Sequence, residues 1–173
     1  MLVGMPHPAA LPAERLLAEC DVRRTRRGGP GGQHRNKVET AVVVTHRRTG
    51  LRAEANERRS QAENQQQALR RLRVRLAIEI RSPADVADFT RPSPLWRERS
   101  AGGRLAINPA HDDFPALLAE ALDAVAAAEY DVAAAAERLG VSTTQLARFL
   151  QHEPQAWTQL NNHRRERGLR PLH

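Results

Sequence analysis

Val38-Glu39-Thr40-Ala41-Val42-Val43-Val44-Thr45-His46, then Arg47-Arg48-Thr49-Gly50, then Leu51-Arg52-Ala53-Glu54-Ala55: this stretch reads as a β-hairpin. The Val- and Thr-rich run suits a strand buried at its middle, because branched side chains pack well on a pleated surface. Arg47 to Gly50 supplies the turn. Leu51, Ala53 and Ala55 alternate with Arg52 and Glu54, so the returning strand has one dry and one wet face.

Upstream, Val22 to Arg26 reads as a further strand, entered from a short helix over Leu11 to Cys20 that follows Pro12. Between the strands lies Gly28-Gly29-Pro30-Gly31-Gly32-Gln33-His34-Arg35-Asn36-Lys37. Gly31 and Gly32 lack a Cβ, so the backbone there can take positive φ and come close to a ligand, with Gln33 at the tip. A Gly/Pro surface turn with an incidental glutamine is the bland reading of such a string. The arginines on both sides of it argue for a loop that enters RNA.

Downstream, Ser60-Gln61-Ala62-Glu63 is a capping-box pattern that opens a helix running to about Arg81. Leu69, Leu72, Leu76 and Ile80 form a stripe for the sheet, while Arg70, Arg71 and Arg75 project elsewhere. Val74 and Ile78 fall on another face, which predicts a second cover, with the C-terminal region as the candidate.

These segments together resemble the peptidyl-tRNA hydrolysis domain of class I peptide-chain release factors. The resemblance covers Asp21 to Arg81 and rests on an ordered series: Gly31-Gly32-Gln33-His34 with Asn36, Ala41 to His46, Thr49-Gly50, Glu57-Arg58-Arg59-Ser60-Gln61 with Asn64, and the basic helix. It implies an α+β fold, a small mixed or antiparallel sheet with a packed basic helix. It also implies ribosome-dependent hydrolysis of the peptidyl-tRNA ester. Gly31, Gly32 and Gln33 would be catalytic. The Gln33 backbone N–H would stabilise the oxyanion, and its side chain would admit water while excluding larger nucleophiles. Arg26, Arg27, His34, Arg35, Asn36, Lys37, Arg58, Arg59, Gln61, Arg70 and Arg71 would bind RNA. The partners implied are large-subunit rRNA, peptidyl-tRNA and a glutamine N-methyltransferase acting on Gln33.

The chain departs from that family in two respects. About twenty residues precede Asp21, and Arg91-Pro92-Ser93-Pro94-Leu95-Trp96 holds a Ser-Pro pair with no following Phe, on the far side of the loop from a codon-reading segment. This predicts no stop-codon recognition and places the chain nearer the codon-independent ribosome-rescue relatives. Those end in a disordered basic tail. Here Arg164, Arg165, Arg167 and Arg170 follow a folded-looking helical region instead.

Composition bounds the reading. In 173 residues with 3% aromatics, each core must be small and built from Leu, Val and Ala. The net charge is +7, yet Arg23 to Arg81 holds sixteen Arg/Lys against five Asp/Glu, so the rest of the chain is net negative. The positive charge travels with the glycine-rich segment and favours a polyanion. A single cysteine, Cys20, excludes an intrachain disulfide and suits the cytoplasm. The scattered histidines suggest no metal site, no cofactor is expected, and no run is long enough for a membrane span.

The domain reading is residues 1–82 for the hydrolysis domain and 83–111 for a linker partly ordered at Leu95 and Trp96. Trp96 is read as an anchor rather than a base-stacking residue. Residues 112–173 form an all-α helix-turn-helix-like module. In it, Leu117, Leu118, Ala121, Leu122 and Val125 mark one helix, Val132 to Leu139 a second, and Gly140 a left-handed stop. Ser142-Thr143-Thr144-Gln145 starts a third and Pro154 a fourth. Thr143, Thr144, Gln145 and Arg148 would be its reading face. A second functional reading follows from this module: a non-catalytic RNA- or ribosome-binding regulator.

Overall fold

The computed structural model describes residues 6–25, 40–82 and 91–173. The chain divides into two compact units, one over Leu11–Leu76 and the other over Ala77–His173 together with the residues through Ala10. It is α+β, with a three-stranded antiparallel sheet and seven α-helices among the described residues.

The first unit begins with helix α1 (Ala13–Ala18), which buries Leu16 and leads into strand β1 (Cys20–Thr25). Strand β2 (Ala41–His46) is central, paired antiparallel with β1 from Cys20↔His46 to Thr25↔Ala41. Strand β3 (Arg52–Ala55) pairs on the other side, from Thr45↔Arg52 to Val42↔Ala55. The turn between β2 and β3 closes with Gly50 N–H donating to the His46 carbonyl at 2.9 Å, and Gly50 takes φ +71°, where a side chain would be strained. Cross-strand partners share a face, so Val42, Val44, His46 and Ala55 lie together on the buried side.

Helix α2 (Gln61–Glu79) supplies the cover. Ser60 Oγ accepts the Glu63 N–H at 3.4 Å, as the capping-box pattern predicts. Asn64, Ala68, Leu72 and Leu76 recur every four residues, all four fully buried, with Leu69 beside them. Two arginines flank this stripe. Arg71 Nη1 donates to the Glu54 carbonyl at 2.7 Å, and Arg75 Nη1 to the Arg52 carbonyl at 3.0 Å. Four helical residues rise about 6 Å and two strand residues about 7 Å, so the two spacings match. These arginines thus satisfy alternate carbonyls along the β3 edge, which would otherwise be open to pairing with another chain.

The second unit is built around helix α4 (Phe114–Ala127), which is buried on nearly every side. Helix α3 (Pro94–Arg99) lies within the expected linker. Ser93 caps it by accepting the Trp96 N–H at 3.0 Å, and its own N–H and hydroxyl both donate to Glu120 at 2.6 Å. Trp96 is fully buried, stands edge-on to Phe149 and donates from Nε1 to the Leu139 carbonyl at 2.9 Å, so it anchors this segment.

Helix α5 (Val132–Leu139) is capped by Asp131 and ends at Gly140, φ +68°. Helix α6 (Thr143–Gln151) is capped by Ser142, and helix α7 (Pro154–Glu166) follows. Asp123, buried inside α4, is neutralised by Arg81 at 3.0 Å, and burial holds the Arg81 guanidinium below its ordinary value despite that carboxylate. Ile78 is buried in this unit beside Leu122, Val125 and Leu160, as its separate helical face predicted.

Candidate nucleic-acid interface

The glycine-rich segment starts and returns at one end of the sheet. Thr25↔Ala41 is the last pair of β1 and β2, and Val42↔Ala55 is the last pair of β2 and β3. β1 and β3 therefore both run toward the end where β2 begins. Gly31, Gly32 and Gln33, with Arg26, Arg27, His34, Arg35, Asn36 and Lys37, lie outside the described residues.

The charges at the two ends of this sheet differ in kind. At the far end Arg47 donates to the Cys20 carbonyl at 2.8 Å and lies 3.5 Å from Asp21, while Arg48 lies 3.3 Å from Glu19. Glu19 also meets the buried His46 at 3.2 Å, and His46 Nδ1 meets Thr49 Oγ1 at 2.9 Å. The hydrogen bond with His46, helped by Arg48 and opposed by partial burial, holds the Glu19 carboxyl below its ordinary 4.5. Burial pushes the Cys20 thiol up to about 11. That end is an internally neutralised lock on the β2–β3 turn.

At the loop end Arg24, Arg58 and Arg59 are exposed, and Arg23 is exposed one residue back on β1. Among the described residues no carboxylate lies within ion-pair distance of these four. Cations without a protein counterion are the ones left to meet phosphate. Of the remaining residues expected to touch RNA, Gln61 and Arg70 are half-buried at the start and on the flank of α2. Arg71 is exposed, but it pairs with Glu57 at 2.7 Å and binds the β3 edge, so its first role is structural.

Asn64 is the residue at this end to which the sequence reading gave no role. It is fully buried in the first turn of α2. Its Nδ2 donates to the Thr40 carbonyl at 2.6 Å and to the Arg58 carbonyl at 2.9 Å, and its Oδ1 accepts the Arg58 N–H at 2.9 Å. Both amide donors are used.

Residues 17–94 match the RF-1 domain family, and the Gly-Gly-Gln segment, the sheet and α2 all fall inside that match. This region is similar to the RF-1 domain of peptide chain release factors. Over 60 residues it is 48% identical to the chloroplastic peptide chain release factor PrfB1 of Arabidopsis thaliana, covering 35% of this chain and 13% of that protein. It is 41% identical over 73 residues to peptide chain release factor 1 of Symbiobacterium thermophilum, covering 42% of this chain and 20% of the relative. It is 44% identical over 71 residues to peptide chain release factor 1 of Leptothrix cholodnii, at 41% and 20% coverage. The chain thus spans about a fifth or less of the length of these curated relatives. No solved structure gives a significant match to the chain.

The second unit carries a different surface. Thr143, Thr144 and Arg148 are exposed on α6. Gln145 is not a free reading residue, since its Oε1 accepts the Leu105 N–H at 2.7 Å and pins the preceding segment. Asp112 to His173 holds nine Asp/Glu against six Arg, a balance unlike that of the RF-1 domain. Two of the four terminal arginines are engaged by the fold. Arg164 donates to the Arg170 and Tyr130 carbonyls, and Arg167 stacks 4.2 Å over the Tyr130 ring. Asn161 holds the Leu172 backbone with bonds in both directions, at 2.7 and 3.3 Å. Among the described residues no cluster of ligands could hold a metal ion, and no helix is long and apolar enough to cross a membrane.

Proposed function

We propose that this chain hydrolyses the ester of peptidyl-tRNA in the ribosomal peptidyl transferase centre without reading a codon. The observation that carries the reading is the intact Gly31-Gly32-Gln33 inside the region matched to the RF-1 domain. Four uncompensated arginines at the end of the sheet from which that segment departs support it. In this reading Gly31 and Gly32 bring the tip to the ester. Water forms the new C–O bond, the bond to the 3′ ribose oxygen breaks, and that oxygen leaves as a hydroxyl. The Gln33 N–H faces the oxyanion that forms in between.

Ribosomal RNA is the proposed partner, supplying the cavity and much of the electrostatics. Arg58 and Arg59, with Arg26, Arg27, His34, Arg35, Asn36 and Lys37, contact its phosphates or those of tRNA. Gln61, Arg70 and Arg71 lie at the margin of the interface. Gln33 is the substrate of a glutamine N-methyltransferase, and the reaction takes place in the cytoplasm. Codon independence is favoured because the chain described beyond the matched residues 17–94 is a helical unit.

The test is release of labelled peptide from ribosomes stalled on an mRNA without a stop codon, comparing the wild type with Gly32→Ala and Gln33→Ala. Gly32→Ala should abolish release by restricting the backbone at the tip, and Gln33→Ala should slow it less, since the backbone N–H survives. Wild-type rates from Gly32→Ala would refute the assignment. In the regulatory alternative the α5–α6 pair binds nucleic acid as a helix-turn-helix. The Gly140 turn suits that alternative, while the acidic balance and the engaged Gln145 weigh against it.

A further inference from the structure

Asn64 is an unusual residue to bury in a core this small. An amide removed from water costs free energy unless its donors and acceptor are all satisfied, and a leucine would fill the same stripe without that requirement. Every neighbour in the stripe is in fact apolar: Ala68, Leu69, Leu72 and Leu76. Asn64 instead joins three pieces of chain. Its backbone N–H donates to the Ser60 carbonyl at 3.1 Å in the first turn of α2. Its side chain closes a two-way pair with Arg58, and its second donor reaches the Thr40 carbonyl. Thr40 is the last residue before strand β2, on the return side of the Gly-Gly-Gln segment. Arg58 begins the exposed Arg58–Arg59 pair.

From this geometry we infer that Asn64 is a positioning residue for peptide release: one side chain fixes where the Gly-Gly-Gln segment rejoins the sheet relative to the Arg58–Arg59 turn. The inference rests on the function proposed above. The physical requirement is one of register. If phosphates are gripped at Arg58 and Arg59, the tip reaches the ester only when the distance from that grip to the Thr40 stem is constant. A displacement of about 1 Å is enough to cost a large part of the rate. An apolar side chain at position 64 would keep the core full and leave the two backbone segments free to shift against each other.

Asn64→Leu and Asn64→Asp separate these roles. Leucine removes every side-chain bond. Aspartate keeps the acceptor for the Arg58 N–H but puts an oxygen in place of the nitrogen that donates to the Thr40 and Arg58 carbonyls. In single-turnover release with the full chain, both variants should slow the rate at saturating factor at least tenfold. The ribosome concentration giving half-maximal rate should change less than threefold.

Amide hydrogen exchange on the ribosome-free protein supplies a readout independent of activity. Exchange should accelerate at residues 40–42 and 58–60, while Leu69 to Leu76 stay as protected as in the wild type. Accelerated exchange across the whole unit, or wild-type release from Asn64→Leu, would overturn the positioning role. A wild-type chain that releases no peptide overturns the hydrolase reading itself and the positioning role with it. Local exchange changes in the variants would then mark Asn64 as a structural tie only.

Discussion

Asn64 and Arg58 are joined by two 2.9 Å hydrogen bonds running in opposite directions, side-chain amide to backbone, so the asparagine serves Arg58 as a neighbouring strand would. The same amide reaches Thr40, and through it the first turn of α2, the Arg58–Arg59 turn and the start of β2 become one piece. The loop end of the sheet is thus tied at Arg58 and Thr40 beside its exposed charges. The far end is tied differently, by the His46–Glu19–Arg48 lock, and its charges cancel.

The β3 edge depends on two arginines of α2. Arg71→Ala with Arg75→Ala should lower stability by about 2 kcal/mol, roughly 1 kcal/mol for each lost bond to an edge carbonyl. Urea unfolding checks the sum. Arg71→Lys keeps the charge but loses the fork that serves Glu57 and Glu54 together, so it should lie closer to alanine than to the wild type.

Glu19 sets an acid limit. Its carboxyl is held below 4.5, so its contribution is complete above about pH 4.5 and is lost as pH falls through the lower folded value. Melting temperature should therefore drop on acidification below that point. Glu19→Gln should flatten this part of the profile, and an unchanged acid limb would contradict the lock.

Cys20 should be inert while the protein is folded. With its thiol pushed up to about 11 and its side chain buried, alkylation at pH 8 should run at least about 100-fold slower than in urea. Mass spectrometry of the iodoacetamide-treated protein reads this directly.

Within the helical unit, Asp123→Ala should cost about 3 kcal/mol, because it leaves the Arg81 guanidinium without its buried counterion. Adding Arg81→Met should restore part of that loss, and a strictly additive double variant would show that the pair is not coupled.

Much of this organisation was legible in the sequence, and the reasons are local. The Val- and Thr-rich run, the Arg47–Gly50 turn and the alternation of Leu51, Ala53 and Ala55 announce the hairpin, and Ser60 with Glu63 announces α2. Gly140 between two apolar-periodic runs announces the α5–α6 corner. Helix α3 was hidden by its own prolines, although Ser93 before Pro94 is a sound helix start and Trp96 had the look of an anchor. The buried polar residues were not legible. His46, Asn64, Asp123 and Asn161 each look solvent-bound until the tertiary partner appears: Glu19, Thr40, Arg81 and Leu172. The same holds for Arg71 and Gln145, whose side chains are engaged by backbone that sequence spacing does not bring near. For the candidate site, the Gly31-Gly32-Gln33 motif was read from the sequence alone. The tie from Asn64 to Thr40 and Arg58 came only from the fold.

The most direct test of the central claim is the wild-type rate of peptide release from three substrates: ribosomes stalled at the end of an mRNA, ribosomes with a stop codon in the decoding site, and peptidyl-tRNA free of ribosomes. The account predicts release from the stalled ribosomes at a rate that a stop codon does not raise, and none from free peptidyl-tRNA. Release confined to stop-codon complexes, or equal release without ribosomes, would contradict it.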